Sequence, residues 1–356
     1  MVLANRLDNG NGRGATLEEV ARVAGVSRAT VSRVVNGNPR VNPDVRRAVE
    51  RAVDRLGYVP NPAARSLVTR RSQSIGLVIA EPAGRLFEDP FFPRLLRGIG
   101  AALSSRDLQL VLLMPQSSGE ETRTERYLTA GHVDGALLVS LHGNDPLPTS
   151  VAARGLPVVV GGRPPRGAQV SYVDVDNVQG AQSAIEHLIA SGRRQIATIA
   201  GPQDMAAGAD RLTGYHDALE AAGIARDAKL VSDGDFTQQG GAEATRRVLA
   251  ARPDLDAIFV ASDLMATGAI QVLRAAGRRI PDDVALVGFD DSAVAASMDP
   301  PLTSVRQPIE EMGREMARLL MEEIRFAGRA PRRVILDTQL VLRTSSVGGA
   351  EGGIGI

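Results

Sequence analysis

From Ser72 onward the chain alternates short apolar runs with stretches of helical period, and this alternation restricts it to one class of fold. The runs at 75–80, 108–114, 135–140 and 157–161 are rich in Val, Leu and Ile, with helical stretches at 92–105 and 121–130 between them. A second series follows at 195–201, 257–261 and 284–289, separated by helices predicted near 178–190, 211–222, 240–251 and 264–276. Apolar runs of this length, without a polar face, are strands covered on both sides, the condition of a parallel sheet between helix layers. Two series predict two doubly wound lobes. Aromatic residues are only 3% of the chain and Trp is absent, so the cores must be built from Val, Leu, Ile and Ala.

The first 60 residues follow a different pattern. Thr16 and Glu19 have capping-box spacing, and Leu17, Val20, Ala21 and Ala24 recur at helical intervals up to Gly25. Ser27 is placed to cap a second helix with Val31, Val34 and Val35 as its buried stripe, ended by Asn36-Gly37. Asn42-Pro43 opens a third, whose apolar face runs from Val45 to Leu56 before Gly57. Three short helices with a three-residue break between the first two follow the helix-turn-helix plan. Arg28, Ala29, Ser32 and Arg33 then occupy the outward face of the second helix, where Arg suits guanine edges and Ser suits phosphates. Charge supports a nucleic-acid partner: residues 1–71 hold 13 Arg against 6 Asp and Glu (+7), leaving 28 basic against 35 acidic residues (−7) in the rest.

Other classes are poorly served. The chain has no Cys, which removes thiolate nucleophiles, disulfides and cysteine zinc sites. It contains no P-loop, no H-E-x-x-H and no G-x-S-x-G, and its four His lack metal-ligand spacing, so neither an enzyme nor a metal or other cofactor is expected. No apolar run is long enough to cross a membrane, and the first dozen residues lack the apolar core of a signal peptide. The expected location is cytoplasmic.

The segment TLEEVARVAGVSRATVSRVVNGNPRVNPDVRRAVERAVDRLGYVPNPAARSL closely resembles the DNA-binding domain of the lac-repressor family, and the resemblance continues to about Arg343. The runs VTRRS, FEDPFF, HVDGALLVSLHGNDPLP, SYVDVDN, AGPQDM, GDFT, ASDLM, VGFDDS and MGREMARLL are similar to those of actinobacterial cello-oligosaccharide-responsive repressors. The family implies an α+β multidomain chain: a helix-turn-helix domain, a hinge helix and a two-lobed periplasmic-binding-protein-like α/β core. Boundaries are expected at 1–13 (disordered tail), 14–60 (DNA-binding domain), 61–71 (hinge helix), 72–345 (core) and 346–356 (disordered tail). The first lobe comprises 72–174 and 307–336, and the second 175–306 and 337–345, with crossings near 173–176, 305–307 and 336–339. By resemblance, DNA contacts extend to Thr16, Ser27, Thr30, Asn36, Tyr58, Asn61 and Ala64, with Leu67 wedged into a central base step of a near-palindromic operator bound by a homodimer. The implied function is an operator-binding repressor relieved by a small sugar. The alternative is a catabolite-control type regulator with a corepressor or phosphoprotein partner.

Ligands of open α/β sheets bind at the carboxyl ends of strands, here the cleft between the lobes. Strand ends carry Gly161-Gly162-Arg163, Gly201-Pro202-Gln203-Asp204, Ser262-Asp263 and Asp290-Asp291. An Arg and a carboxylate facing one cleft bind hydroxyls in pairs, and aromatic walls suit the CH faces of sugars. The resemblance makes Arg211 and Asp290 ligand-binding, with Ser262 as a polar pocket residue and Phe236 as an aromatic one. Phe91 and Phe92 lie in a pocket loop, and Gln307 and Arg163 are further candidates. Asp263 reads as a helix cap, Arg94 and Arg97 as solvated or interfacial, and adjacent Asp290 and Asp291 as pointing apart.

Overall fold

The computed structural model describes residues 15–59, 71–104, 106, 108–326 and 328–347. The chain separates into two compact units, Met1–Ser72 and Gln73–Ile356.

The first unit contains helices α1 (Leu17–Ala24), α2 (Arg28–Val35) and α3 (Pro43–Leu56). The capping box at α1 is complete: Glu19 N donates to Thr16 Oγ1 at 3.3 Å and Thr16 N to Glu19 Oε2 at 2.8 Å. Gly25 ends α1 at φ 65°, a conformation that costs glycine no Cβ clash and turns the chain directly into α2. Ser27 caps α2 through Thr30 N, and Asn42 caps α3 through Asp44 N. Val20, Ala21, Val31, Val34, Val49, Ala52 and Tyr58 form the core. It is small, so helix termination and capping carry an unusual share of its definition.

The second unit holds two six-stranded sheets. The first comprises β1 (Ser74–Ile79), β2 (Gln109–Leu113), β3 (Gly135–Val139), β4 (Val158–Gly161), β5 (Ser171–Val175) and β11 (Arg333–Leu336), ordered β11-β5-β4-β3-β1-β2 and parallel throughout. The second comprises β6 (Ile196–Ala200), β7 (Val231–Asp233), β8 (Ala257–Val260), β9 (Ala285–Asp290), β10 (Thr303–Arg306) and β12 (Gln339–Val341). Its order is β12-β10-β9-β8-β6-β7, with β12 antiparallel at one edge. Separate apolar clusters cover the two faces of each sheet, which is why strands such as β3 and β6 carry no polar face.

Helices α4 (Ala83–Glu88), α5 (Phe91–Ser104), α6 (Ser118–Tyr127) and α7 (Leu147–Ala153) follow strands of the first sheet. Helices α8 (Asn177–Ala190), α9 (Ala206–Ala221), α10 (Gln238–Ala251), α11 (Asp263–Ala275) and α12 (Ala293–Ser297) serve the second. The chain passes between sheets after β5, after β10 and between β11 and β12. The last long helix, α13 (Ile309–Arg325), therefore returns to the first lobe and packs on α5. A Cβ on Gly98 would lie 2.1 Å from the Glu310 carbonyl, so glycine permits this close backbone approach.

Several details differ from the sequence reading. Helix α4 and the three-residue β7 were not anticipated; both are shorter than the window over which periodicity can be read. The carboxyl-terminal tail begins later than residue 346. Ser345 and Ser346 are buried, with Ser345 Oγ donating to the Leu286 carbonyl and Ser346 Oγ to Thr303 Oγ1, so this segment is docked on the second sheet. The expected hinge residues Asn61, Ala64 and Leu67, the amino-terminal tail and residues 348–356 lie outside the described residues.

Candidate functional site

Between the lobes, the ends of β3, β4, β5, β8, β9 and β10 open into a cleft with about 740 Å³ of empty space, its mouth included. All eight pocket residues expected from sequence line it: Phe91, Phe92, Arg163, Arg211, Phe236, Ser262, Asp290 and Gln307.

Arg211 projects from the first turns of α9 and is 5% exposed. Its Nε donates to Asn177 Oδ1 at 2.9 Å and its Nη1 to the Ala261 carbonyl, while its guanidinium lies 3.7 Å from the Phe289 ring centroid. Its Nη1 stands 3.9 Å from Asp290 Oδ1, a loose ion pair. Asp290 ends β9 at φ 116°, a backbone conformation that disfavours any residue but glycine. The strain is maintained by neighbours: Gln307 Nε2 donates to its Oδ1, and Arg94 Nη1 donates to its carbonyl at 3.3 Å. Burial raises the Asp290 carboxyl well above the ordinary carboxylate range; Arg211 lowers it and Asp263 raises it further. The cleft therefore holds a buried carboxyl whose charge is not fully compensated, and its oxygens can accept a ligand hydroxyl.

Phe236, at φ 63°, lays its ring against Gly201, where a Cβ would lie 2.3 Å from Cζ. Phe91 and Phe92 meet edge to face at 5.4 Å. Phe92 is 1% exposed and belongs to the first-lobe core, which leaves partly buried Phe91 as the more available aromatic wall. Ser262 Oγ caps α11 by accepting from Met265 N at 3.2 Å. Asp263 is a support residue: its carboxylate accepts from Ser304 Oγ at 2.6 Å and Ser292 N at 2.7 Å, and so fixes the loop after β9. Asp291 points away from Asp290 to Arg306 and Arg343. Arg163 lies at the mouth, paired with Asp210 of the second lobe.

Arg94 takes the interfacial one of its two sequence readings. It is bidentate to Glu310 at 2.9 Å and also reaches the Asp290 carbonyl across the cleft, so it is part of the lobe contact and not a solvated helix face. A second crossing joins His142 Nδ1 to Asp204 Oδ2 at 2.9 Å, with His142 Nε2 3.1 Å from Glu81 Oε1. The bond to Glu81, aided by Asp204, holds the imidazole pKa above its ordinary value. Sequence reasoning did not place Arg85, Asp89, Asp174 and Asn177 in the lining. Asp174 carried a signal, as a polar residue at the first predicted crossing, and Asn177 directly follows that crossing. Arg85 and Asp89 lie in the unanticipated α4 segment. Among the described residues no cluster of His, Asp and Glu could hold a metal ion, and no helix is long and apolar enough to cross a membrane.

In the first unit α2 presents exposed Arg28, Ala29 and Arg33 on one side, with Ser32 half-buried. Arg28 forms an exposed ion pair with Glu18 at 3.0 Å, an interaction weak enough to exchange for a phosphate or base. Thr16 is committed to the capping box and Ser27 to the α2 cap, with Thr30 Oγ1 2.9 Å from Ser27 Oγ. Asn36 follows α2 and donates to Ser32 Oγ at 3.3 Å. Tyr58 is 9% exposed and packs in the helical core, so most of its ring is structural.

Residues 16–61 match the bacterial regulatory proteins of the lacI family, and residues 185–346 match the periplasmic binding protein-like domain. The chain is 54% identical over 336 residues to the HTH-type transcriptional regulator CelR of Thermobifida fusca, covering 94% of this chain and 98% of that protein. A solved transcriptional regulator CelR–cellobiose complex is 52% identical with a TM-score of 0.75, covering 93% of this chain and all of the other. The lac repressor dimer bound to operator and the anti-inducer ONPF is 26% identical with a TM-score of 0.83, covering 94% of this chain and all of the other.

Proposed function

This chain belongs to the lacI family of bacterial regulatory proteins, and we propose that it is a homodimeric, cytoplasmic repressor released from a near-palindromic operator by cellobiose or a short cello-oligosaccharide. It is a DNA-binding transcriptional regulator and not an enzyme. The observation that carries the choice of effector is the cellobiose complex of a relative 52% identical over nearly the whole chain. The cleft suits that ligand chemically. Arg211 and Asp290 offer a donor and an acceptor for hydroxyls, and Phe91 and Phe236 offer faces for sugar CH groups.

The mechanism follows from the position of the cleft. Sugar touches both lobes, so it favours one lobe arrangement over another, and contacts that cross the cleft are read out as that choice. These are Arg94 to the Asp290 carbonyl, His142 to Asp204 and Arg163 to Asp210. The lobe arrangement sets whether two hinges, one per protomer, can pair on DNA. By linkage, operator must weaken sugar binding by the same factor that sugar weakens operator binding, typically about 1–3 kcal/mol.

The test is fluorescence anisotropy of labelled DNA from the promoter beside the coding gene, titrated with protein and then with cello-, malto- and xylo-oligosaccharides. Cellobiose should release the DNA at concentrations where maltose and xylobiose do not. Tighter operator binding in the presence of sugar would reverse the mechanism, and indifference to every sugar would overturn the effector class.

A further inference from the structure

We propose that His142 is a proton-operated latch across the cleft: as an imidazolium it ties Glu81 of the first lobe to Asp204 of the second, and on losing its proton it releases the second lobe, so that pH sets how firmly the protein holds its effector. The effector half of this inference rests on the sugar reading given above; the latch itself does not. His142, Glu81 and Asp204 lie outside the set of residues that line the ligand space.

The topology places the latch far from the hinge. The chain crosses between lobes at β5, β10 and the β11–β12 link, toward one side of each sheet. Glu81 follows β1, His142 follows β3 and Asp204 follows β6, two or three strands from β5 and β10. At about 4.8 Å per strand that is roughly 10–15 Å, so a rotation about the crossings separates these groups more than those beside the hinge. Asp204 meets the 142–143 turn at two points: Gly143 N donates to its carbonyl at 2.8 Å, and His142 Nδ1 lies 2.9 Å from its Oδ2.

The ring faces an acid at each nitrogen, with Glu81 Oε1 3.1 Å from Nε2. Carboxylates only accept, and a neutral imidazole carries a single N–H, so both bonds exist together only in the charged ring. The two acids are not equivalent. The Glu81 side chain is 3% exposed and that of Asp204 53%. Glu81 Oε1 also accepts from Ser140 Oγ and Arg85 Nη1, which fix it in place. A ring lone pair turned to Glu81 would face a fixed, buried carboxylate, whereas one turned to Asp204 faces a group free to swing into water. The neutral ring therefore keeps its N–H on Nε2, and the bond it loses is the one that crosses the cleft.

The other charged groups near the ring are Arg85 on α4, which shares Glu81 Oε1, and Asp145 in the same turn, whose Oδ1 accepts from Leu147 N. The bond to Glu81 does most to hold the imidazole above its ordinary 6.5; burial opposes it and Asp204 adds to it. Arg94 and Arg163, the cations of the other two cross-lobe contacts, keep their charge at any working pH, so His142 is the cation that pH can remove. Sugar needs both walls within reach, so sugar and proton favour the same lobe arrangement and reinforce each other.

The experiment uses the full-length protein, its His142→Gln variant and its Asp204→Asn variant, with two measurements on each. Imidazole signals are titrated by NMR without sugar, which is practicable because the chain has four His, and His142→Gln assigns the signal. Cellobiose is then titrated calorimetrically at pH 6 and pH 8. An Asn at position 204 can accept from the charged ring or donate to the neutral one, so it should hold the latch at both pH values. The His142 midpoint should lie above 6.5 in the wild type and fall in Asp204→Asn. Wild type should bind cellobiose at least threefold more tightly at pH 6 than at pH 8, and this ratio should shrink at least threefold in both variants. His142→Gln should lose affinity at pH 6, whereas Asp204→Asn at pH 8 should bind at least as tightly as wild type, a rescue that a merely structural role would not give. The buried Asp174 and Asp290 carboxyls are present in all three proteins, so the comparison cancels their titration. A His142 midpoint at or below 6.5, or one that Asp204→Asn leaves unchanged, overturns the latch. A wild-type affinity that changes less than threefold with pH, or a ratio that both variants retain, overturns its coupling to the effector. A wild type that binds no cellobiose breaks the effector reading instead, and the sugar-free titration of His142 then decides the latch alone.

Discussion

Asp290→Asn and Arg211→Ala both remove one member of the same loose pair, yet their consequences should diverge. Asp290 is 8% exposed, and burial has already raised its carboxyl far above the usual range, so its charge is poorly stabilised. An amide of the same shape keeps an oxygen for Gln307 and removes the charge. Because burial already favours the neutral form of this carboxyl, the change in stability should be roughly 1 kcal/mol or less in either direction. Arg211→Ala is different. It leaves Asn177 Oδ1 and the Ala261 carbonyl without their donor and removes the cation paired with the Asp290 carboxyl. Two buried acceptors left without a donor cost about 1–3 kcal/mol each. For a unit this large that lowers the unfolding temperature by roughly 10 °C. For the ligand, loss of a charged hydrogen bond of about 1.5–3 kcal/mol predicts roughly 10- to 150-fold weaker sugar binding in Asp290→Asn. Differential scanning calorimetry and sugar titration of both variants, with operator binding as the control, check this. Asp290→Asn should remain folded and operator-bound but respond poorly to sugar. If Asp290→Asn melts 10 °C early, or Arg211→Ala melts like wild type, the reasoning about which partner supports the cleft is refuted.

Operator affinity should fall steeply with salt, with a log–log slope near −0.9 per phosphate neutralised, and Arg33→Ala should either reduce that slope by about one or relax preference at a single base. A flat response to salt from 50 to 200 mM would contradict DNA binding by the basic first unit. Leu67→Ser, read from sequence alone, should weaken operator binding more than non-specific binding in competition gel shifts; equal losses would remove the wedge. Asp174 supplies a pH signature. Burial pushes its carboxyl up to about 6 from 3.8, so the folded state keeps a proton that the unfolded chain has lost. Its contribution is therefore most favourable below about pH 4 and declines by up to about 3 kcal/mol as pH rises to about 6. Unfolding temperatures of wild type and Asp174→Asn between pH 4 and 7 should show a shallower decline in the variant, and parallel curves would mean that Asp174 does not titrate there.

Much of this protein is decided by local chemistry and is visible in the chain itself. The helix caps at Thr16, Ser27 and Asn42 and the left-handed stops at Gly25 and Gly57 depend on neighbours within four residues. The strand runs of both lobes, and the strand-end position of Ser262 and Asp290, follow from patterns of similar range. The tertiary structure alone decided what those residues do together. Arg94 read from sequence as solvated or interfacial; Glu310 lies 216 residues away and the Asp290 carbonyl 196, and only the return of α13 to the first lobe joins them. Helix α4 is six residues between prolines, too short for periodicity, and its arginine acquires meaning only because Phe236 of the other lobe lies beside it. Phe91 and Phe92 are equivalent in sequence, and packing against the first-lobe core buries one and leaves the other more open. The physical reason is that caps, turns and periodicity are short-range properties of the backbone. The cleft is assembled from segments that the chain brings together by crossing between lobes three times, and burial, the raised carboxyls and the cross-lobe contacts exist only once those segments meet.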